Sequence, residues 1–170
     1  IIGTQINFKF KDEIGIIPLI AKNRQGYESI LELSSSSYLT NKDNLLPYCD
    51  FQSLITKHEG IIVLSGSLNS LSGSLLKKNK LQDLTNLYIE LNKNFRSDFY
   101  IEIQRHNDVS EKEFEKINLN LSHKLQIPII ATHEVYYLDQ SMHEAHDALM
   151  CIGQKTYVND TNRLKLSNQH

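Results

Sequence analysis

Three short apolar runs, each followed by an amphipathic stretch, constrain this chain more than any other feature. They are Ile61-Ile62-Val63-Leu64, Phe99 to Gln104 and Ile127 to Thr132. All are too short for buried helices and rich in β-branched or aromatic side chains, so they read as strands. After the first come a short helical stretch, Ser70 to Lys78, and a longer one in which Leu81, Leu84, Leu87, Leu91 and Phe95 recur at spacings of three and four. After the second, Phe114, Ile117, Leu121 and Leu125 form another apolar stripe, and Met142, Ala145, Leu149 and Ile152 follow the third. Strand–helix alternation from residue 60 onward requires crossover connections, and these build a parallel sheet. Each strand ends in a polar cluster: Ser65–Ser67, Arg105–Asp108 and Thr132–Glu134. In a parallel α/β sheet or barrel such clusters converge on one rim, where sites form. The third strand reads as buried on both faces, with Pro128 at its entry.

The first sixty residues read differently. Residues 1–8 predict a strand, Lys11-Asp12-Glu13 with Gly15 a turn, and Ile16 to Ala21 a second strand hairpinned to the first. Pro18 argues for an edge or a bulge there. Asn23 is placed to cap a helix running to about Leu39, with Tyr27, Ile30, Leu31 and Tyr38 as its apolar face. Asn41 to Tyr48 predicts a loop, Asp50 a cap for a helix over Phe51 to Lys57, and Gly60 a stop. Ser110 with Glu113 and Ser141 with Glu144 have capping-box spacing. The length, 170 residues, suits one domain over 1–170. Both ends read as cut from something longer, because the chain opens without Met inside an apolar segment and closes without a helix stop.

A net charge of -2 gives no electrostatic footprint for nucleic acid. No apolar run is long enough for a bilayer, and no signal-peptide pattern is present. Cys49 and Cys151 read as free thiols of a reducing cytosol. His106 and Glu134, with Glu102, His133 or Asp108, could supply ligands for a hard or borderline metal ion; a hydrogen-bonded loop histidine is the competing reading of His106. No His-x-His or His-Glu-x-x-His occurs. His143 and His146 could share a helix face as ligands, or be one surface and one packed histidine. His58, His123 and His170 carry no context. Ser65-Gly66-Ser67 lacks the lead residues of a nucleophile elbow, no glycine-rich phosphate loop is present, and Lys77, Lys78 and Lys80 read as a solvated face.

Several stretches, taken in order, carry a resemblance. They are Ile2-Gly3, Leu19-Ile20-Ala21-Lys22-Asn23 with Gly26-Tyr27, and Glu59-Gly60-Ile61-Ile62-Val63-Leu64-Ser65-Gly66. Phe99-Tyr100-Ile101-Glu102-Ile103-Gln104-Arg105-His106, Ala131-Thr132 with Val135-Tyr136-Tyr137-Leu138, Ala145-His146-Asp147 and Asn159-Asp160 with Asn162-Arg163-Leu164 complete the set. Together they resemble the PHP (polymerase and histidinol phosphatase) domain of bacterial DNA polymerase III alpha subunits. The resemblance implies a distorted seven-stranded β/α barrel of TIM-like type, incomplete here because its first strands are missing. It also implies a cytoplasmic parent protein that synthesises DNA from dNTPs, with Mg²⁺ in a separate palm domain and no cofactor in this stretch. Implied partners are other polymerase III holoenzyme subunits, notably a proofreading exonuclease subunit, and DNA through the parent; no membrane is implied.

In metal-competent members of the family, ligands come from a His-x-His segment and from later positions, which this resemblance places at Gln5, Ser67, His106, Glu134 and Tyr136. Only His106 keeps the family's residue. Gln5 replaces a Glu, Ser67 a Cys, Glu134 an Asp and Tyr136 a His. An amide, a hydroxyl and a protonated phenol are poor substitutes for a carboxylate, a thiolate and an imidazole. The departures imply a degenerate metal site and a scaffold that docks the proofreading subunit, with no catalytic residue of its own. The alternative is a metal-dependent phosphoesterase or 3′–5′ exonuclease. His133, one residue before Glu134, is expected on the opposite side of the strand direction.

Overall fold

The computed structural model describes residues 1–40, 46–107 and 109–168. The predicted loop over Asn41 to Tyr48 lies partly, and Asp108 and His170 wholly, outside the described residues. Six strands form one mixed sheet in the order β3-β1-β2-β4-β5-β6. They are β1 (Gly3–Phe10), β2 (Glu13–Ala21), β3 (Cys49–Asp50), β4 (Ile61–Leu64), β5 (Phe99–Ile103) and β6 (Ile129–Ala131). The helices are α1 (Arg24–Thr40), α2 (Phe51–Thr56), α3 (Leu71–Lys77), α4 (Leu81–Phe95), α5 (Val109–Leu125) and α6 (His143–Gln154). Strands β4, β5 and β6 run parallel, as the crossover order requires, while β1–β2 and β2–β4 are antiparallel.

The strand alternation decides which face is covered. Ile6 and Phe8 of β1, Ile17 and Leu19 of β2, Ile61 and Val63 of β4, and Phe99 and Ile101 of β5 all lie in one apolar core. Leu33, Leu54, Leu71, Leu75, Leu84, Leu87 and Leu91 pack on them from the helices. The opposite face carries the alternate residues, Gln5 and its register partner Pro18 among them, and Glu102 with its partner Ile130. That second face is the one from which the site is built.

Several expectations are corrected. The resemblance implies an incomplete seven-stranded barrel; the described residues form a mixed six-stranded sheet with β3 and β6 at its two edges. The run Ile127 to Thr132 is not buried on both faces: only Ile129–Ala131 is strand, it is an edge, and Ile129 is 42% exposed. Strand β2, in contrast, is internal. Pro18 is tolerated because β4 ladders only with Leu19, Ile20 and Ala21, leaving that side of β2 unpaired at the proline. Gly15 is strand, and the turn is Lys11–Asp12 with Lys11 at φ 54. The two-residue strand β3 was invisible in the pattern. In α1 the buried face is Ile30 and Leu33, while Leu31 and Tyr38 face out. Neither capping box forms as expected. Helix α5 starts at Val109, placing Ser110 inside it, and α6 starts at His143 after a turn capped by Asp139. Leu149 and Ile152 of α6, at 64% and 76% exposed, face solvent; Asp147 and Cys151 are its buried residues.

Asn23 caps α1 as expected, its Oδ1 accepting the Gly26 N–H at 2.9 Å. At the far end of the core, Glu13 is buried and accepts from Lys78 Nζ at 2.6 Å and Lys80 Nζ at 2.8 Å, tying the α3–α4 corner to β2. Those two hydrogen bonds, first Lys78 and then Lys80, hold its carboxyl below the ordinary glutamate value of 4.5. A carboxyl with a depressed folded-state pKa contributes stability that is complete above the unfolded pKa and is lost as pH falls through the folded one. Urea titrations of wild type and Glu13→Gln should therefore differ by a constant amount at neutral pH. The difference should close only below about pH 4.5, as the wild-type carboxyl protonates.

Candidate functional site

The loop after β4 is held by its own serines. Ser65 N–H donates to Tyr100 O at 2.9 Å, and Ser65 Oγ accepts the Glu102 N–H at 2.9 Å, so the loop is stitched to β5. Ser72 Oγ and Ser70 Oγ donate to Ser65 O at 2.8 and 3.2 Å. Gly66 takes φ +78 in this turn, and a Cβ there would lie 2.3 Å from Ser70 Cβ, so only glycine fits. The result delivers Ser67 to the mouth of a cavity of about 340 Å³.

The wall opposite is built on His106, 3% exposed, at the end of the β5 stretch. Glu111, in the first turn of α5, accepts both the His106 N–H at 2.7 Å and its Nδ1 at 2.8 Å. The Glu134 N–H donates to His106 Nε2 at 3.2 Å. An imidazole nitrogen has one in-plane lone pair. At Nε2 it is directed to a backbone amide, and Nδ1 is the ring donor to Glu111. His133 stacks on the same ring, with centroids 4.4 Å apart. His133 nevertheless lines a different cavity from Glu134, although residues 132–138 are not strand.

Residues 163–168 close the third side. Arg163 clamps Asp147 of α6 through two hydrogen bonds, at 2.6 and 2.7 Å. The guanidinium holds the Asp147 carboxyl below its usual range. Leu166 O is bonded to His143 Nε2 at 3.1 Å, Tyr137 Oη donates to Ser167 O at 3.1 Å, and Ser167 Oγ donates to His106 O at 2.6 Å. His143 and His146 both meet the Tyr137 ring but differ in their other neighbours. The first holds this segment, and the second packs between Tyr136 and Tyr137.

Ser67, His106 and Glu134 line the same cavity, so the three polar strand ends do converge. Gln5 joins Ser67 and Glu134 at an adjoining cavity of about 40 Å³. Tyr136 stands apart, linked by its hydroxyl donating to Glu134 Oε2 at 3.2 Å. Burial first, then the Glu134 charge, push its phenol above the usual range. Glu111 and Gln104 also line the site, and the sequence pattern did not single them out. Among the described residues, no three His, Cys, Asp or Glu side chains form a group that could hold a metal ion. The multinuclear centre implied by the family does not fit these residues. One imidazole has its free lone pair turned to an amide, and the other inherited positions offer an amide, a hydroxyl and a phenol bonded to the one retained carboxylate.

The PHP domain family profile matches residues 1–106. A DNA polymerase III subunit alpha of Rickettsia bellii is 35% identical over 153 residues, covering 88% of this chain and 13% of that protein. Those of Caulobacter vibrioides and Borreliella burgdorferi are 30% and 32% identical over 152 and 162 residues, covering 89% and 93% of this chain. The chain spans about 13% of the length of the first two of these relatives and 14% of the third. No helix among the described residues is long and apolar enough to cross a membrane.

Proposed function

Because the chain belongs to the PHP domain family, we propose that it is the PHP domain of a cytoplasmic DNA polymerase III alpha subunit in which the multinuclear metal site has been dismantled. The parent would polymerise DNA from dNTPs with Mg²⁺ in a palm domain elsewhere. This domain would act as scaffold and as the docking surface for a proofreading exonuclease subunit. The open sheet is then most of a distorted β/α barrel. Residues 107–170 belong to the same domain, a reading supported by the bonds from Ser167 and Glu134 back to His106.

The observation that carries this reading is the Glu134 amide on His106 Nε2. A metal ligand must present that lone pair to the ion, and here it is engaged by the chain itself. The test is hydrolysis of single-stranded DNA 3′ ends by the intact protein, alongside its zinc content. The scaffold reading expects no zinc-dependent hydrolysis. It also expects that the double variant His106→Ala/Glu134→Ala loses stability or proofreading-subunit binding and no nuclease activity. A zinc-dependent exonuclease that vanishes in the double variant would instead establish the phosphoesterase reading.

A further inference from the structure

Residues 155–168 follow α6 and form neither helix nor strand. None of their described side chains belongs to the apolar core. Tyr157 and Leu164 are 80% and 64% exposed. What ties the segment down is a short set of polar bonds. The Arg163 guanidinium, with only 2% of its side chain exposed, grips both Asp147 oxygens and also donates to Val158 O at 3.1 Å. It thereby fastens the 157–160 turn, in which the Tyr157 N–H donates to Asp160 Oδ2 at 2.8 Å, to α6. Farther along, Leu166 O meets His143 Nε2, Ser167 O accepts from Tyr137, and Ser167 Oγ donates to His106 O.

A segment that buries little apolar surface and is tied by a few polar bonds has low local stability, so it opens while the core stays folded. Arg163 dominates the tie. Separating a buried guanidinium from its carboxylate leaves both charges uncompensated, so the clamp releases in one step and does not fray. Leu164, Lys165, Leu166 and Ser167 are also one wall of the rim cavity of about 340 Å³, with Ser67 and His106 among the residues that line the rest. We propose that residues 155–168 are a strap over the rim cleft, latched by Arg163 and Asp147, which opens as a unit and controls access to the cleft. Such a strap governs entry whether the rim is silent or reactive.

The test is native-state proteolysis of the intact protein by trypsin, with the products read by mass spectrometry. A protease needs several residues of extended chain, so cleavage after Lys165 reports the opened strap. In wild type that cut should precede cuts in the core helices, and its rate should change little with urea, because opening exposes little surface. Arg163→Gln should speed it at least roughly tenfold. Tyr137→Phe, which removes the bond to Ser167 O, should speed it roughly fivefold. Leu84→Ala, in the core on α4, should speed the core cuts and leave the strap cut unchanged. A second readout puts a thiol in the cleft: Ser67→Cys, labelled with a bulky maleimide, should react faster by the same factor once Arg163→Gln is added. Should Arg163→Gln fail to fold, Tyr137→Phe serves both readouts. A strap cut that keeps pace with the core cuts in urea and in Leu84→Ala overturns the proposal, as does an unchanged strap cut in Arg163→Gln and Tyr137→Phe. Faster cleavage with unchanged labelling of Ser67→Cys also overturns it, since the strap would then move without covering the cleft.

Discussion

Replacing Gly26 by alanine should lower the stability of this domain by about 3 kcal/mol, the upper end of what overpacking costs. The substitution improves helix propensity, yet the contact decides the sign. A Cβ at Gly26 would stand 1.7 Å from Gly60 O and 2.4 Å from Gly60 C. Both sides of that contact are backbone, so no side chain can rotate away. Gly60 cannot retreat cheaply either. Its carbonyl accepts the Lys22 N–H at 2.9 Å, it takes φ +73, and the next residue, Ile61, is in register with Ala21. Displacing it disturbs the β2–β4 ladder that sets β4 and, beyond it, the Ser65–Ser67 turn. Gly153→Ala is the matched control. It lies in α6 with nothing within 4 Å of its added Cβ, so stability should rise by about 0.5–1 kcal/mol. Urea midpoints for the two variants should move in opposite directions. Unchanged stability in Gly26→Ala would mean that α1 does not sit on Gly60.

The strands and helices were legible where burial follows from local pattern. Ile61, Val63 and the α4 residues Leu84, Leu87 and Leu91 lie in the core between sheet and helices, so their spacing reports their environment, while Leu81 of the same stripe is 48% exposed. Ile129, Leu149 and Ile152 are as apolar, yet they face outward. Apolar pattern records that a residue is suited to burial, and the covering surface is not encoded in the same stretch. The Ser110–Glu113 spacing pointed to a start of α5 after Ser110. The helix begins at Val109, so Glu111 sits in its first turn and reaches back to His106. Convergence of Ser67, His106 and Glu134 was readable because strand ends in a parallel sheet share a rim. The burial of Glu102 was not readable, because an acidic residue in an alternating strand gives no sign of which face will be covered.

His106→Ala should destabilise the domain by about 3 kcal/mol, while a zinc-selective chelator leaves wild-type stability unchanged. The imidazole is 3% exposed and ties the end of β5 to two other segments: α5 through Glu111 on Nδ1, and the stretch after β6 through the Glu134 amide on Nε2 and the His133 ring on its face. A hydrogen bond from a buried donor to a carboxylate contributes about 1.5–3 kcal/mol. The cavity left by the ring and the lost bond to the Glu134 amide add to that. For a chain of this length the thermal midpoint should fall by roughly 6–12 °C. His106→Gln separates a structural part from a metal-binding one. Its side-chain amide can donate to Glu111 and accept from Glu134 N–H, so it should recover part of the loss. A glutamine amide is a poor zinc ligand, so a domain held together by zinc at His106 would gain nothing from it. Partial rescue by glutamine with chelator insensitivity identifies His106 as a junction between β5, α5 and the segment after β6. No rescue, together with chelator-induced unfolding of wild type, would mean that its Nε2 lone pair serves an ion and not the Glu134 amide.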